Sequence, residues 1–194
     1  MIGVVDYEAG NAPSVLYALA HLGIEAQAVR GPEDVARSDR LILPGVGAAF
    51  ATMRSLRELG LVEALEQAVR RDGKRFLGVC VGLQLLFEAS DEDDVPCLGL
   101  LPGRAVAMGF ADRVPHMGWN DVTPQADHPL ARALPAVCYF AHSYAVEPAE
   151  AGAVLGTTEL GGRPFASVAG AGRVTGTQFH PKKSGPARRE NLSL

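Results

Sequence analysis

In "FLGVCVGLQLLFEAS", residues 76–90, Cys80 stands between two near glycines where an apolar run gives way to a helical pattern. A cysteine so placed sits on a tight strand-to-helix turn, with Gly78 and Gly82 removing the side chains that would crowd the bend, as in a GxSxG nucleophile elbow. The turn aims the sulfur at backbone N–H groups, which lower a thiol's pKa and receive an oxyanion. The same cysteine also reads as a small apolar core residue, because free Cys is often buried and inert. Cys97 and Cys138 lack this setting and read as core or loop fillers. The three cysteines form no CxxC pair, so neither a disulfide framework nor a zinc cluster is suggested.

A thiol nucleophile needs a base. Of the five histidines, His21 falls in a helical pattern and His128 in the polar "QADHPL", which places both at the surface. His180 closes the apolar run "VTGTQFHP", with Pro181 stopping the strand behind it. That puts its imidazole at the sheet edge where Cys80 also belongs. Alone, His180 is a buried or loop histidine; beside an elbow cysteine it is a general base. "LPGVG" at 43–47 offers backbone donors for an oxyanion at a neighbouring strand end, although by itself it is an ordinary glycine turn.

These residues require a sheet to bring them together. "IGVVDY" reads as a strand, and Val15, Leu16, Leu19 and Leu22 recur at helical spacing behind it, with Asn11 or Ser14 placed to cap. "EAQAVR" and "RLILPG" continue as strands around a short helix opening at Pro32, and two helical stretches at 50–60 and 61–73 precede the strand "RFLGV". Alternating strands and helices, with runs too continuously apolar for a half-exposed sheet, predict an α/β fold: a mostly parallel, flavodoxin-like central sheet flanked by helices. From about Cys97 the texture changes to β-like pieces broken by Gly and Pro, including "RAVAMGF", "VPHMGWNDVTP", "AVCYFAHSYAV" and "RPFASVAG". These predict further strands in the same sheet or an additional antiparallel β layer. "EASDEDD" at 88–94 reads as a solvated helix end and loop.

The chain has 194 residues, 47% of them apolar, enough for one domain over 1–194 with a full core. A net charge of −4 provides no basic field for nucleic acid. The N-terminal "MIGVVDYEAGN" lacks a signal-peptide pattern, and no apolar run approaches a membrane span. The chain is expected in the cytosol.

Several stretches in order, "VVDYEAGN", "LILPGVGA", "LGVCVGLQLLFE", "VPHMGWN", "YFAHSY" and "GTQFHPKKSG", resemble the class I, or triad, glutamine amidotransferases. "VDYEAGN", "PHMGWN" and "YFAHSY" resemble the branch that feeds ammonia to a cyclase in histidine biosynthesis. The resemblance implies that Cys80 attacks the side-chain amide of glutamine to give a thioester and ammonia, that water then releases glutamate, and that His180 passes protons in both steps. It implies that Gln84, Ser143 and Tyr144 hold glutamine, and that the Val81 N–H with Gly45, Val46 and Gly47 forms the oxyanion hole. It implies a heterodimer with a (β/α)8-barrel cyclase, which makes imidazole glycerol phosphate and aminoimidazole carboxamide ribonucleotide. Asn11, Met117, Trp119, Asn120 and Lys183 would face that partner, although "PHMGWN" also reads as a loop with its Trp packed on the core. No cofactor and no metal is implied.

One position departs from the family pattern. Where relatives of this kind read HPEKS, the chain reads "HPKKS", so Lys182 stands where an acid would orient the histidine. A lysine cannot accept the imidazole N–H, and at about 4 Å and an effective dielectric near 20 its charge opposes an imidazolium by on the order of 4 kcal/mol. The resemblance therefore implies a slowed glutaminase, unless another carboxylate such as Glu190 substitutes. The rival readings are a silent subunit that only binds the cyclase, a sister class I glutaminase, and a stand-alone cysteine hydrolase.

Overall fold

The computed structural model describes residues 1–8, 10–109, 114–133 and 136–181. Lys182 and Lys183 lie outside the described residues. In chain order the elements are β1 (Ile2–Val5), α1 (Ala12–His21), β2 (Ala26–Val29), α2 (Pro32–Arg37), β3 (Arg40–Gly45), α3 (Ala49–Glu58), α4 (Leu61–Arg70), β4 (Arg75–Cys80) and α5 (Val81–Gln84). After them come β5 (Ala89–Ser90), β6 (Val95–Pro96), β7 (Gly103–Ala107), β8 (His116–Asp121), β9 (Thr123–Pro124), α6 (Pro129–Arg132), β10 (Val137–His142), β11 (Tyr144–Pro148), β12 (Val154–Leu160), β13 (Arg163–Ala171) and β14 (Val174–Thr177).

The sheet order is β2-β1-β3-β4-β14-β13-β11-β7-β5-β6, with β12 and β9 branching from β13. From β2 to β14 every neighbour is parallel. The strands β1, β3 and β4 are buried along nearly their whole length, as continuously apolar "IGVV", "LILPG" and "FLGVC" require of a sheet covered on both faces. Right-handed crossovers carry the chain from β1 outward to β2 and back to β3, so α1 lies on the opposite face from α2. Leu61, Leu65 and Ala68 of α4, at i, i+4 and i+7, are the buried stripe that seats that helix.

Beyond β14 the sheet turns antiparallel through β13, β11 and β7, and β8 pairs with β10 as a separate antiparallel ribbon. The C-terminal half thus both extends the main sheet and builds a second layer. "AVCYFAHSYAV" is two strands in two different sheets, divided at Ser143.

Four local expectations are corrected. Asn11 occupies the N-cap of α1 in a left-handed conformation and makes no side-chain cap bond, and Ser14 lies inside the helix. The helix after Cys80 stops at Gln84, because cross-bonds from Leu98, Gly99 and Leu101 to the carbonyls of Leu85, Phe87 and Leu86 pull the chain out of its spiral. "EASDEDD" is a short strand and a 3₁₀ turn whose acids take up backbone donors: Glu92 Oε2 accepts from the Ala49 N–H at the start of α3 at 2.6 Å, and Glu88 Oε2 from that of Gly103 at the start of β7 at 2.9 Å. The last strand ends at Thr177, not His180, since its partner β4 turns away at Cys80; the Gln178 and His180 amides instead donate to Ser167 O and Tyr139 O.

Candidate active site

Cys80 ends β4 with φ 57° and ψ −112°, a backbone conformation that a β-substituted residue adopts only under constraint. Close glycine contacts supply it. A Cβ on Gly82 would lie 1.9 Å from Leu43 O, and one on Gly78 would lie 2.5 Å from Gly82 O. The turn therefore folds into space that only glycine leaves empty. Gly45 is the register partner of Cys80, which brings the 45–47 loop against the elbow. Gly47 holds φ +88°, favoured by glycine alone.

A cavity of about 370 Å³ opens at this edge, lined among others by Cys80, Val81, Gln84, Ser143, Tyr144 and His180. Val46, Gly47, Asn11, Met117, His142 and Glu92 complete much of the wall. Sequence positions from 11 to 180 thus converge on one hole at the carboxyl ends of the parallel strands, where open α/β sheets bind their ligands. A larger cavity of about 460 Å³ lies at the opposite edge, against Arg40, Arg75, Arg173 and the apolar Leu41 and Phe76. No cysteine lines it, so chemistry assigns the site to the smaller one.

Cys80 is 3% exposed, and its sulfur lies 3.8 Å from Ala141 O. Gln178 Nε2 points at that sulfur from 3.7 Å. Gln84 Nε2 donates to Gln178 Oε1 at 3.2 Å and to Tyr144 O at 3.0 Å, tying the helix after the elbow to the segment just past β14 and to the start of β11. His180 is buried beside the same cavity. Burial pushes the Cys97 thiol up to about 12, and Cys138 is fully enclosed, so neither competes as a thiolate. His128 caps α6 by accepting from the Leu130 N–H at 3.2 Å, and His21 is exposed.

The β8–β10 ribbon forms one rim. Its side chains alternate, with His116, Phe140 and His142 buried and Met117 and Trp119 turned out at 66% and 56% exposure. Trp119 therefore does not pack on the core. It meets Tyr139, its register partner, edge to face at 5.7 Å. Sequence reading passed over Gln178, Glu92, His116 and His142. "GTQFHP" contained the first, but its meaning depends on pairing with Gln84 and Cys80, 94 and 98 residues away.

A thiol on a constrained elbow, an adjoining glycine loop and a histidine in one cavity is the arrangement of a cysteine amidohydrolase. The chain belongs to the glutamine amidotransferase class-I family, whose model matches residues 3–193. It is similar to the imidazole glycerol phosphate synthase subunit HisH of Synechococcus sp. (strain JA-3-3Ab), 42% identical over 95% of this chain and 88% of that protein. The HisH protein of Symbiobacterium thermophilum is 44% identical over 96% and 88%. Among solved structures, a glutamine amidotransferase superposes with a TM-score of 0.79 at 23% identity, covering 100% of this chain and 99% of that one. PurLQS from Thermotoga maritima superposes at 0.72 and 19% identity, over 99% and 94%. These two likenesses bear on the fold.

Proposed function

We propose that the chain is a single-domain, cytosolic glutaminase subunit that hydrolyses glutamine and delivers ammonia to a (β/α)8-barrel cyclase, the two together making imidazole glycerol phosphate. The observation that carries this is the cavity joining Cys80, Gln84 and His180, in a chain about 42% identical to HisH proteins along nearly its whole length. In this reading Cys80 passes its thiol proton to His180 as Sγ adds to the glutamine amide carbon, and the Val81 N–H and the 45–47 loop receive the negative oxygen. His180 gives its proton to the departing nitrogen, ammonia leaves, and the thioester remains. Water then attacks that carbonyl, His180 takes the water's proton, the tetrahedral intermediate collapses, and glutamate is freed with Cys80 restored. Gln84, Ser143 and Tyr144 hold the substrate's amino-acid end. Met117 and Trp119 on the ribbon, with Asn11 and Lys183, face the cyclase, while Asn120, whose amide turns to Glu159 O and His116, supports that face from behind.

A glutaminase assay tests the proposal, run with the isolated chain, with added cyclase, and with cyclase plus its nucleotide ligand. Turnover is expected to be slow in the first case and to rise in the last, because in this reading the 45–47 loop turns an N–H toward the oxyanion when the liganded cyclase docks. Unchanged turnover with the liganded cyclase would favour a silent binding subunit.

A further inference from the structure

Behind the cavity wall lies a chain of polar groups that the catalytic steps above do not use. His142 Nδ1 is 2.8 Å from Tyr144 O. A carbonyl only accepts, so Nδ1 carries the proton and, in a neutral ring, Nε2 is left as a lone pair. That lone pair faces His116 Nδ1 at 3.1 Å, which must therefore donate, leaving His116 Nε2 as an acceptor toward Asn120 Nδ2 at 3.4 Å. The Asn120 amide is fixed in turn, with Nδ2 donating to Glu159 O at 2.9 Å and Oδ1 accepting from the Asp121 N–H at 2.8 Å. Every link thus runs in one direction, from Asn120 on the outer ribbon to the Tyr144 carbonyl.

Both ends are determined, so the pair cannot gain a proton without breaking a link. A protonated His142 would point Nε2–H at His116 and force its other nitrogen to present N–H to the Asn120 N–H₂. The surroundings disfavour that charge. Phe140 and Phe165 lie against both rings, and the titratable groups facing His142 are His116 on β8 and His180 beyond β14. At the inner end, Tyr144 O also accepts from Gln84, which leads through Gln178 to the Cys80 sulfur.

We propose that His142 and His116 are positioning residues for glutamine. As a neutral, one-way relay they lock the Ser143–Tyr144 segment of the cavity wall against Gln84 and hence against Cys80. The inference rests on the glutaminase reading for its substrate, but the relay itself has an independent signature. Isolated histidines favour the Nε2–H form, whereas both rings here must be Nδ1–H tautomers.

The experiment has two arms. Long-range ¹H–¹⁵N spectra of the full chain at pH 7 are expected to show Nδ1–H tautomers for both residues; Nε2–H forms, or ordinary imidazole titration near 6.5, would overturn the relay whatever the enzyme does. Kinetics in the complex with liganded cyclase supply the second arm. His142→Phe keeps an aromatic ring among Phe140 and Phe165 but leaves the Tyr144 carbonyl one donor short, and is expected to raise KM for glutamine about tenfold with kcat nearly unchanged. His142→Asn, whose amide N–H can reach where Nδ1–H was, is expected to recover most of that loss. Equal KM in His142→Phe and wild type, or no recovery in the Asn variant, would overturn the positioning role. A wild-type complex with no glutaminase activity would instead overturn the functional reading, with the tautomers still deciding the relay.

Discussion

Cys80 is set apart from the other cysteines by where the backbone puts it. It alone ends a strand at a constrained turn beside a cavity, while Cys97 is held protonated and Cys138 is enclosed. A glutamine-like electrophile such as diazo-oxonorleucine should therefore label Cys80 and no other cysteine, and Cys80→Ala should abolish labelling; undiminished labelling of that variant, read by peptide mass spectrometry, would move the nucleophile elsewhere. The placement of Cys80 and His180 at one edge was legible because each carries a local signal, a glycine-flanked turn and the close of an apolar run, although the strand itself stops earlier, at Thr177. His116, His142 and Gln178 were not, since each is an unremarkable residue until the fold sets it opposite a partner. Lys182 poses the sharpest question at this scale. An acid there would accept the His180 N–H, fix the ring and favour its charged form, and in serine proteases spoiling that carboxylate costs about 10⁴ in rate. A cysteine is already partly thiolate and depends on it less. Lys182→Glu should raise kcat of the assembled complex by roughly 10²–10⁴-fold. A steady-state gain below about threefold would mean that the side chain at 182 does not act on His180, or that Glu190 or another acid already orients the histidine.

Among the elements, the parallel half was readable because its strands are short apolar runs bounded by glycine and proline, and its helices repeat apolar residues three or four apart. The break at Ser143 was not, because "AVCYFAHSYAV" carries one uninterrupted strand propensity, and only tertiary pairing assigns His142 to β10 and Tyr144 to β11. That break also places the two buried imidazoles. Burial, aided by the charged forms of His116 and His180 and opposed by the Tyr144 carbonyl, holds His142 down to about 4; burial also lowers His116. The unfolded chain takes up a proton as pH falls through about 6.5, while folded His142 waits until about 4. Between those values the unfolded state binds more protons, so stability is full above pH 6.5 and declines toward pH 4, by on the order of 3 kcal/mol from His142. Urea unfolding at pH 7, 6 and 5 should show this slope in the wild type and a shallower one in His142→Phe. Identical slopes would mean that folded His142 takes up its proton over the same pH range as the unfolded chain.

For the whole molecule, the strand polarity gathers Cys80 and His180 at one edge, while the described residues lining the cavity at the other include no cysteine. The described residues include no helix long and apolar enough to cross a membrane. Met117 lines the cavity and is 66% exposed, and Trp119 stands two residues on along the same face of β8. Large apolar side chains held out from a ribbon at the mouth of a site that releases ammonia suit a partner that seals that mouth, since ammonia escaping to water is lost to any coupled reaction. An exposed Trp set against Tyr139 is the kind of residue that dominates binding energy when a partner buries it. Trp119→Ala should therefore weaken cyclase binding by about 2 kcal/mol, roughly 30-fold in Kd, with a smaller change in unfolding free energy because more than half of Trp119 is still exposed in the free chain. Titration calorimetry of the two proteins with cyclase separates the outcomes. A Kd equal to that of the wild type would place the docking face away from the ribbon, and a matching loss in unfolding free energy would mean that Trp119 braces the subunit itself.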